Sequence, residues 1–275
     1  MKKIGFVDYY LSEWHANNYP AWFAEVDPEY QIAYAWAEMD VSPRDGVTSE
    51  EWCQKFGAEL CGTLEELCAK SDVIVILAPT DPDRHLPYAK VVLPYGKRTY
   101  IDKTFAPNRA VAEEIFALAK KYNTPFFSTS ALRFAEELEP YEDCKMMITQ
   151  GGGSSIDEYI VHQAEMIVKK LGGGGGKIRA EKFANGYHIC VKYSNGKEAM
   201  MTFEPSISFA VCMGGGKKGM TAKVSSPFFK HLMADIIRFF KEGTVSFDVA
   251  ETLEVMRLRD GVLAAVKALD EWIDY

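Results

Sequence analysis

The chain has 275 residues, of which 48% are hydrophobic and 25% are charged, and its formal net charge at pH 7 is −8. A chain of this length and composition is expected to be globular, with one large domain or two ordinary ones. The acidic balance, without basic stretches interleaved with aromatic residues, argues against nucleic-acid binding. No apolar run approaches a membrane span, and the run after Lys3 is too short for a signal peptide, so we expect a cytoplasmic protein.

Cysteine usage agrees with that compartment. Six cysteines are spread along the chain, and none of them lies in a Cys-x-x-Cys pair or in a Cys/His cluster with the spacing of a zinc site. In a reducing cytoplasm these thiols are expected to be reduced and mostly buried. The sequence therefore predicts neither a disulfide framework nor a metal site.

Strand-like and helix-like segments alternate through the first half of the chain. Short apolar or β-branched runs predict strands at residues 3–7, 31–37, 72–77, 98–101 and 125–128. A helix is predicted around Pro20, with Asn17 or Asn18 as its N-cap. Further helical patterns lie at residues 49–56, from 63 onward, at 85–93 and at 108–122. This alternation has βαβ spacing, which predicts an α/β domain with a doubly wound parallel sheet over residues 1–130.

The pattern changes after residue 130. Helices are predicted near residues 133–141, 156–171, 227–242 and 248–273. The segment 145–149 is apolar, and strand-like runs follow at 178–183, 187–193, 198–204 and 219–224. The turn Ser194–Lys197 is typical of a hairpin. Residues 131–275 are therefore predicted to form an α+β domain with helices packed on a mainly antiparallel sheet.

Lys103 lies just beyond the predicted strand 98–101. Ligands of parallel α/β sheets bind at the carboxyl ends of the strands, so a lysine at this position can accept or donate a proton beside a cofactor. A solvated loop lysine is the alternative, and the local pattern alone leaves both possibilities open.

The segment from Asp72 to Arg133 resembles the Gfo/Idh/MocA oxidoreductase family. It contains Asp72-Val-Ile-Val-Ile-Leu-Ala-Pro79, then His85, then Gly96-Lys-Arg-Thr-Tyr-Ile-Asp102-Lys103. The family has a strand ending in proline, a downstream histidine and Gly-Lys…Glu-Lys-Pro, so Asp102 replaces glutamate and Thr104 replaces proline. In the second half, Glu158-Tyr-Ile-Val-His162-Gln-Ala-Glu165 is similar to the family's Asp-x-Gly-x-His-x-x-Asp helix.

The resemblance implies an N-terminal Rossmann domain that binds NAD(H) or NADP(H) and a C-terminal domain whose open sheet joins a homodimer or homotetramer. It implies a sugar, a polyol or a derivative as the small-molecule substrate. Lys103 and His162 would form the acid–base pair for the substrate hydroxyl, in a cleft shared by the two domains. Helical spacing places Glu158 and Glu165 on the same side as His162, so either is a candidate carboxylate partner.

The resemblance also assigns binding residues. The cofactor pocket would be formed by Ala78, Pro79, Thr80, His85, Asp102 and Lys103. Asp40 or Glu38, at the end of the second predicted strand, would bind the adenosine ribose and favour NAD over NADP. Arg133 is a candidate for an anionic group of the substrate.

Structural explanations stay open for each of these residues. His162 can pack against the sheet, and His85 can be an ordinary residue at the start of a helix. Arg133 can pair with Glu136 or Glu137, while a surface acid such as Asp40 is common at the end of a strand.

One part of the family pattern is missing. The first strand should be followed by Gly-x-Gly-x-x-Gly, which lets the backbone approach the cofactor diphosphate. Here it is followed by Asp8-Tyr-Tyr-Leu-Ser-Glu-Trp-His15-Ala-Asn-Asn18. Bulky side chains and the charge of Asp8 oppose a dinucleotide in the usual pose. The cofactor could bind in a shifted pose, with His15, Asn17 and Asn18 as donors, or the chain has lost dinucleotide binding.

Two functions follow from these patterns. The first is an NAD(P)-dependent oxidoreductase acting on a sugar-like or polyol substrate, which Lys103 and His162 favour. The second is a catalytically silent Rossmann-fold binding protein or subunit, which the missing glycines favour.

Overall fold

The computed structural model describes residues 1–216 and 218–275. These residues form two compact units, the first made of Met1–Thr129 with Lys230–Val249 and the second of Ser130–Phe229 with Ala250–Tyr275. The boundary expected from the sequence, between residues 130 and 131, falls beside the division after Thr129. The segment Lys230–Val249, which the sequence placed in the second domain, belongs to the first unit.

The first unit contains a six-stranded sheet in the order β3-β2-β1-β4-β5-β6. Its strands are β1 (Lys2–Asp8), β2 (Tyr30–Ala37), β3 (Glu59–Leu60), β4 (Val73–Ile76), β5 (Thr99–Ile101) and β6 (Phe126–Ser128). All neighbouring strands are parallel, which confirms the predicted doubly wound sheet of the Rossmann type. The chain reverses its direction of progress across the sheet between β1 and β4, and ligands of such sheets bind at this switch point.

Five helices connect these strands: α1 (Trp14–Val26), α2 (Ser49–Phe56), α3 (Leu64–Lys70), α4 (His85–Val92) and α5 (Arg109–Tyr122). The expected N-cap of α1 is wrong, because Glu13 caps the helix and Asn17 lies inside it. The carboxylate of Glu13 accepts from two backbone N–H groups of the first turn, a position that the amide of Asn17 cannot reach. Pro20 consequently lies in the interior of α1.

Gly5 lets α3 pack closely on β1. A Cβ atom at this position would lie 2.3 Å from Oγ of Ser71 and 2.6 Å from a methyl carbon of Leu67. The side chains of Ile4 and Phe6, on either side of Gly5 in β1, are fully buried. This packing fixes the height of β1 in the sheet and therefore the position at which its carboxyl end emerges.

The second unit contains a seven-stranded sheet in the order β12-β11-β7-β10-β9-β8-β13. Its strands are β7 (Met146–Gly151), β8 (Gly176–Phe183), β9 (Gly186–Tyr193), β10 (Glu198–Phe203), β11 (Ala210–Gly214), β12 (Met220–Lys223) and β13 (Ile273–Asp274). The pair β7–β10 is parallel and the other pairs are antiparallel, so the mainly antiparallel sheet is confirmed. β11 and β13 had no counterpart in the predicted strands.

Three helices complete the chain: α6 (Ile156–Leu171), α7 (Phe228–Glu242) and α8 (Glu251–Lys267). Helices α6 and α8 contribute to one core with the sheet of the second unit. The predicted helix 133–141 is wrong, because two 3₁₀ turns, Ala131–Phe134 and Glu136–Leu138, are separated by the extended residue Ala135. The predicted last helix also ends early, since the chain after α8 returns to pair with β8 as β13.

Candidate functional site

Asp8 lies at the carboxyl end of β1 and is buried. Its Oδ1 accepts hydrogen bonds from the backbone N–H groups of Tyr9 at 2.7 Å and Ala78 at 3.0 Å. Its Oδ2 is buried without a hydrogen-bond partner. Burial and the nearby negative charge of Glu13 raise the pKa of Asp8 well above its ordinary value. Asp8 therefore ties β1 to the loop after β4, and it leaves one carboxylate oxygen unsatisfied.

Glu13 occupies the N-terminus of α1 and is 5% exposed. Its Oε2 accepts from the backbone N–H of His15 at 2.9 Å, and its Oε1 accepts from the backbone N–H of Ala16. Both donors belong to the first turn of the helix, whose N–H groups have no partner within the helix itself. In a Rossmann domain this N-terminus faces the cofactor diphosphate. Here its donors already hold a carboxylate of the chain.

Asp102 follows β5 and brings a third buried carboxylate to this region. Its Oδ1 accepts from the hydroxyls of Tyr19 at 3.3 Å and Tyr100 at 3.1 Å. Its Oδ2 lies 3.7 Å from Nε2 of His15. Burial, followed by the charge of Asp102, raises the pKa of Tyr19 well above its ordinary value. His15 therefore lies between the carboxylates of Glu13 and Asp102, and the negative charge of Asp102 also acts on Asp8.

Asn17 is used inside the first unit. Its Oδ1 accepts from the indole N–H of Trp52 at 3.0 Å, and its Nδ2 donates to Oγ of Ser12 at 3.4 Å. These contacts anchor α1 to α2. The amide that the sequence offered as a cofactor donor thus has structural partners, and Asn18 Nδ2 likewise donates to the backbone carbonyl of Trp14.

Lys103 is 7% exposed and lies directly after Asp102, beyond the end of β5. Its Nζ lies 3.4 Å from the backbone carbonyl of Pro79, in the loop after β4. Ala78 and Pro79 are buried in that loop, whereas Thr80 is exposed. The alternative of a solvated loop lysine is wrong, because the ammonium group is held between the carboxyl ends of two neighbouring strands.

His85 is fully buried at the start of α4. Its Nδ1 lies 2.9 Å from the backbone carbonyl of Phe105, and its Nε2 contacts the backbone carbonyl of Leu77. Burial lowers the pKa of His85 below its ordinary value. This histidine joins the chain that follows β4 to the chain that follows β5, and its ring does not reach solvent. Its position favours the structural explanation over the predicted wall of a cofactor pocket.

The acids after β2 differ from each other in their surroundings. Asp40 is exposed, and its Oδ1 accepts from the backbone N–H of Ser49 at 3.3 Å, at the start of α2. Glu38 accepts from Arg84 at 2.6 Å and from the hydroxyl of Tyr88 at 2.8 Å. The guanidinium of Arg84 lies 4.5 Å from the centre of the Tyr9 ring. The carboxylate of Glu38 is therefore bound by side chains of the same unit, whereas Asp40 faces solvent.

His162 belongs to the second unit, on α6, and is half-buried. Its Nδ1 lies 2.5 Å from Oγ of Ser130, which also accepts from the backbone N–H of Leu132 at 3.3 Å. The rings of Tyr159 and Phe209 make edge contacts with the imidazole. The sequence analysis missed Ser130, although a run of hydroxyl residues directly after the strand 125–128 is a signal that could have pointed to it.

Arg133 lies in a buried ion-pair network and is 3% exposed. Its Nε donates to Glu165 at 2.8 Å, and its Nη1 donates to Glu251 at 2.8 Å. Burial acts to lower the pKa of Arg133, but the two carboxylates raise it above its ordinary value. These contacts give Arg133 structural partners, and its assignment to an anionic group of the substrate stays a prediction. The alternative partner Glu137 instead accepts from Ser226 at 2.7 Å.

The two glutamates of α6 have different partners. Oε1 of Glu165 accepts from the backbone N–H of Ser130 at 3.0 Å, so Glu165 links Arg133 to the residue that contacts His162. Glu158 lies in the first turn of α6, where its backbone N–H donates to the N-cap Ser155 and its carboxylate contacts Ser154. The structure thus brings Glu165 close to His162 through Ser130, whereas Glu158 contacts the helix cap.

The described part of the chain contains neither a metal-binding cluster nor a membrane-spanning helix. Among residues 1–216 and 218–275, no group of three or more His, Cys, Asp or Glu side chains has an arrangement suited to a metal ion. Over the same residues, no helix combines the length and the apolar character needed to cross a membrane. All six cysteines are free thiols, four of them buried and two half-buried.

Sequence comparison gives one short match to a curated protein. The chain is 42% identical over 57 residues to an uncharacterized oxidoreductase, YhhX, from Escherichia coli (strain K12). That segment is 21% of this chain and spans only 16% of the length of the relative. No family model matches the chain.

Solved structures resemble the whole chain. UDP-N-acetylglucosamine 3-dehydrogenase GnnA from Acidithiobacillus ferrooxidans is 12% identical, with a TM-score of 0.80 over 97% of this chain and 98% of that chain. The scyllo-inositol dehydrogenase from Lactobacillus casei is 11% identical, with a TM-score of 0.77 over 99% and 98%. GenD2 from gentamicin A biosynthesis, solved in complex with NAD, is 12% identical, with a TM-score of 0.76 over 100% and 97%. The chain therefore has the two-domain fold of the Gfo/Idh/MocA-type dehydrogenases, as the resemblance in its sequence predicts.

Proposed function

We propose that the chain is an oxidoreductase that acts on a sugar-like or polyol substrate with a nicotinamide dinucleotide, and that Lys103 and His162 are its acid–base pair. The observation that carries the proposal is the buried ammonium of Lys103 at the carboxyl end of β5, 3.4 Å from the carbonyl of Pro79. This is the edge at which parallel α/β sheets bind ligands. Solved proteins of this fold include an inositol dehydrogenase and a dehydrogenase of UDP-N-acetylglucosamine, which supports that substrate class.

The proposed work of Lys103 is to move the hydroxyl proton of the substrate. A bound nicotinamide supplies the redox chemistry, and a protein group within hydrogen-bond reach must exchange the proton. The carbonyl of Pro79 orients the ammonium group of the largely buried Lys103.

His162 is the proposed second member of the pair. Its contact with Ser130 fixes the orientation of the ring, because Glu165 in turn holds the backbone of Ser130. The ion pair between Glu165 and Arg133 makes this support rigid. We therefore assign Ser130 and Glu165 as positioning residues, which act through the imidazole. Glu158 is placed by its contacts at the cap of α6, so it has a weaker claim to be the carboxylate partner.

The N-terminus of α1, where a Rossmann domain binds the cofactor diphosphate, shows poor complementarity to a dinucleotide. The N–H donors of α1 hold Glu13, and the buried carboxylates of Asp8 and Asp102 add negative charge nearby. A diphosphate is itself negative and needs those same donors. As the side chains stand, this end of the first unit's sheet does not fit a dinucleotide in the usual pose. The exposed carboxylate of Asp40 after β2 is compatible with a ribose and supports NAD over NADP.

The occupied helix end favours a second candidate function, a Rossmann-fold binding protein or subunit without turnover. In that case Lys103 and His162 would bind a small polar ligand and no dinucleotide would be used. Under either function, we expect the homodimer or homotetramer through the sheet β7–β13 and the cytoplasmic location that the sequence suggests; both stay predictions.

Two measurements on the purified full chain separate the candidates. The first follows the melting temperature with millimolar NAD, NADH or NADPH, since a ligand of the folded state raises stability, by about 2.7 kcal/mol at a hundredfold excess over its Kd. The second follows reduced nicotinamide in the presence of myo-inositol, scyllo-inositol or UDP-N-acetylglucosamine. A stabilising dinucleotide together with turnover supports the oxidoreductase. No shift with any dinucleotide supports the second candidate.

A further inference from the structure

We propose that Glu13 is a specificity-determining residue that competes with the diphosphate of a dinucleotide for the N-terminus of α1, so that its removal strengthens dinucleotide binding. This proposal rests on the dinucleotide binding in the proposed function. Glu13 and α1 belong to the first unit, and the competition does not require turnover.

Glu13 occupies the hydrogen-bond donors that a diphosphate would need. The two oxygens of the Glu13 carboxylate take the N–H groups of His15 and Ala16, the second and third residues of α1. A carboxylate at this end is further favoured by the helix dipole, as any anion is. A diphosphate bound at the start of the first Rossmann helix depends on the same N–H groups and the same dipole. The two anions therefore exclude each other.

Tethering gives Glu13 the advantage in this competition. The side chain is attached next to its donors, so it makes these hydrogen bonds without the loss of translational freedom that a free ligand pays. It is also 5% exposed, so a ligand that displaces it must also find room for the expelled carboxylate. The expected consequence is weak dinucleotide binding by the native chain.

A second observation concerns the negative charge around the cap. Oδ2 of Asp8 is buried without a hydrogen-bond partner, and burial together with Glu13 raises the pKa of this carboxyl. A buried carboxylate is destabilised in its charged form by another negative charge nearby. The negative charges of Glu13 and Asp8 therefore repel each other, and a bound diphosphate would be repelled by them as well. Removing the charge of Glu13 reduces both repulsions.

Glu51 offers a matched control, because it is an acid in the first turn of another helix of the same unit. It forms a capping box with Thr48 at the start of α2, accepting from the backbone N–H of Thr48 at 2.9 Å. If Glu13 merely stabilises its helix, Glu13→Ala and Glu51→Ala should behave alike. If Glu13 holds the diphosphate position, only Glu13 variants should alter dinucleotide affinity.

The test is calorimetric titration of the full chain with NADH and with ADP-ribose, which carries the diphosphate without nicotinamide. The proteins are the native chain, Glu13→Ala, Glu13→Gln and Glu51→Ala. Glu13→Gln keeps an acceptor for the helix N–H groups, so it protects the test against a variant that fails to fold. We expect the affinity of Glu13→Ala for both ligands to rise about tenfold, the usual worth of an N-cap, with Glu13→Gln in between and Glu51→Ala unchanged.

Three results would overturn the inference. The first is equal affinity in the native chain and both Glu13 variants, and the second is no binding by any of them. The third is an equal rise in Glu51→Ala. Because no substrate is present in these titrations, a failure here is distinct from a failure of the proposed turnover, which is measured with the polyol and sugar nucleotide panel.

Discussion

The hydroxyl of Ser130 lies 2.5 Å from Nδ1 of His162, and the backbone N–H of the same serine donates to Glu165. Ser130 is fully buried, whereas the imidazole is half-buried. The serine thus connects the ring to the ion pair of Glu165 with Arg133. We propose that this contact holds the imidazole in the orientation in which His162 acts on a substrate.

Ser130→Ala should therefore lower turnover by misplacing the imidazole. A displacement of about 1 Å can cost about a hundredfold in rate, and we expect kcat to fall by up to that factor with little change in KM. Ser130→Thr, which keeps a hydroxyl, should restore most of the rate. Steady-state kinetics and ring-nitrogen chemical shifts, which report the protonated nitrogen, check this. A Ser130→Ala enzyme with native kcat and native shifts would remove the positioning role.

Glu165→Ala should destabilise the second unit strongly. It leaves the guanidinium of Arg133, which is 3% exposed, without the more buried of its two carboxylate partners. Breaking a buried ion pair from one side typically costs about 3–5 kcal/mol, and urea denaturation should show a loss of this size. Glu139→Gln is the control, because Glu139 forms an exposed pair with Lys169. Its removal should cost about 1 kcal/mol or less, and equal losses in the two variants would contradict the account.

Asp8→Asn should stabilise the chain at neutral pH. Burial and Glu13 raise the pKa of Asp8 in the folded state, so the folded chain binds this proton more tightly than the unfolded chain. The resulting stability is complete below the unfolded pKa and is lost as pH rises through the folded pKa. The variant has no such loss. Urea midpoints measured from mildly acidic to neutral pH should fall less steeply in Asp8→Asn than in the native chain, and parallel curves would refute the assignment.

Glu137 should show the opposite dependence. Burial acts to raise its pKa, but hydrogen bonds from Ser226 and Ser225 prevail and lower it to about 2. A lowered pKa gives stability that is present above the unfolded pKa and is lost as pH falls through the folded value. Glu137→Gln should therefore be less stable than the native chain at neutral pH, with the difference shrinking towards pH 2. A difference that grows on acidification would be inconsistent with these hydrogen bonds.

The fold was predictable from the sequence wherever the pattern is local. The helix expected at 156–171 is Ile156–Leu171, and the apolar run 72–77 contains β4, because these periodicities report burial directly. β11 was not predicted, since its position depends on pairing with β7, which lies far before it in sequence. The cap of α1 was missed because glutamate is not among the preferred N-cap residues.

The candidate site was predictable only in part. The place of Lys103 follows from its position after a strand of a parallel sheet, and the structure adds its burial. The contacts of Arg133 with Glu165 and Glu251 join residues that are separated by 32 and 118 positions, and no local pattern encodes them. From the sequence alone, a pocket role and a structural role for His85 were equally open. Its two backbone carbonyl partners become visible only in the folded chain.

The central claim is that Lys103 carries the proton in a reaction of a sugar-like or polyol substrate. The most direct measurement is turnover of the polyol and sugar nucleotide panel by the native chain, Lys103→Ala and Lys103→Arg, with melting curves to confirm folding. General acid–base groups contribute about 10²–10⁴-fold to a rate. We predict a loss of kcat in that range for Lys103→Ala, with Lys103→Arg no better than weakly active. Full turnover by a folded Lys103→Ala would contradict the claim.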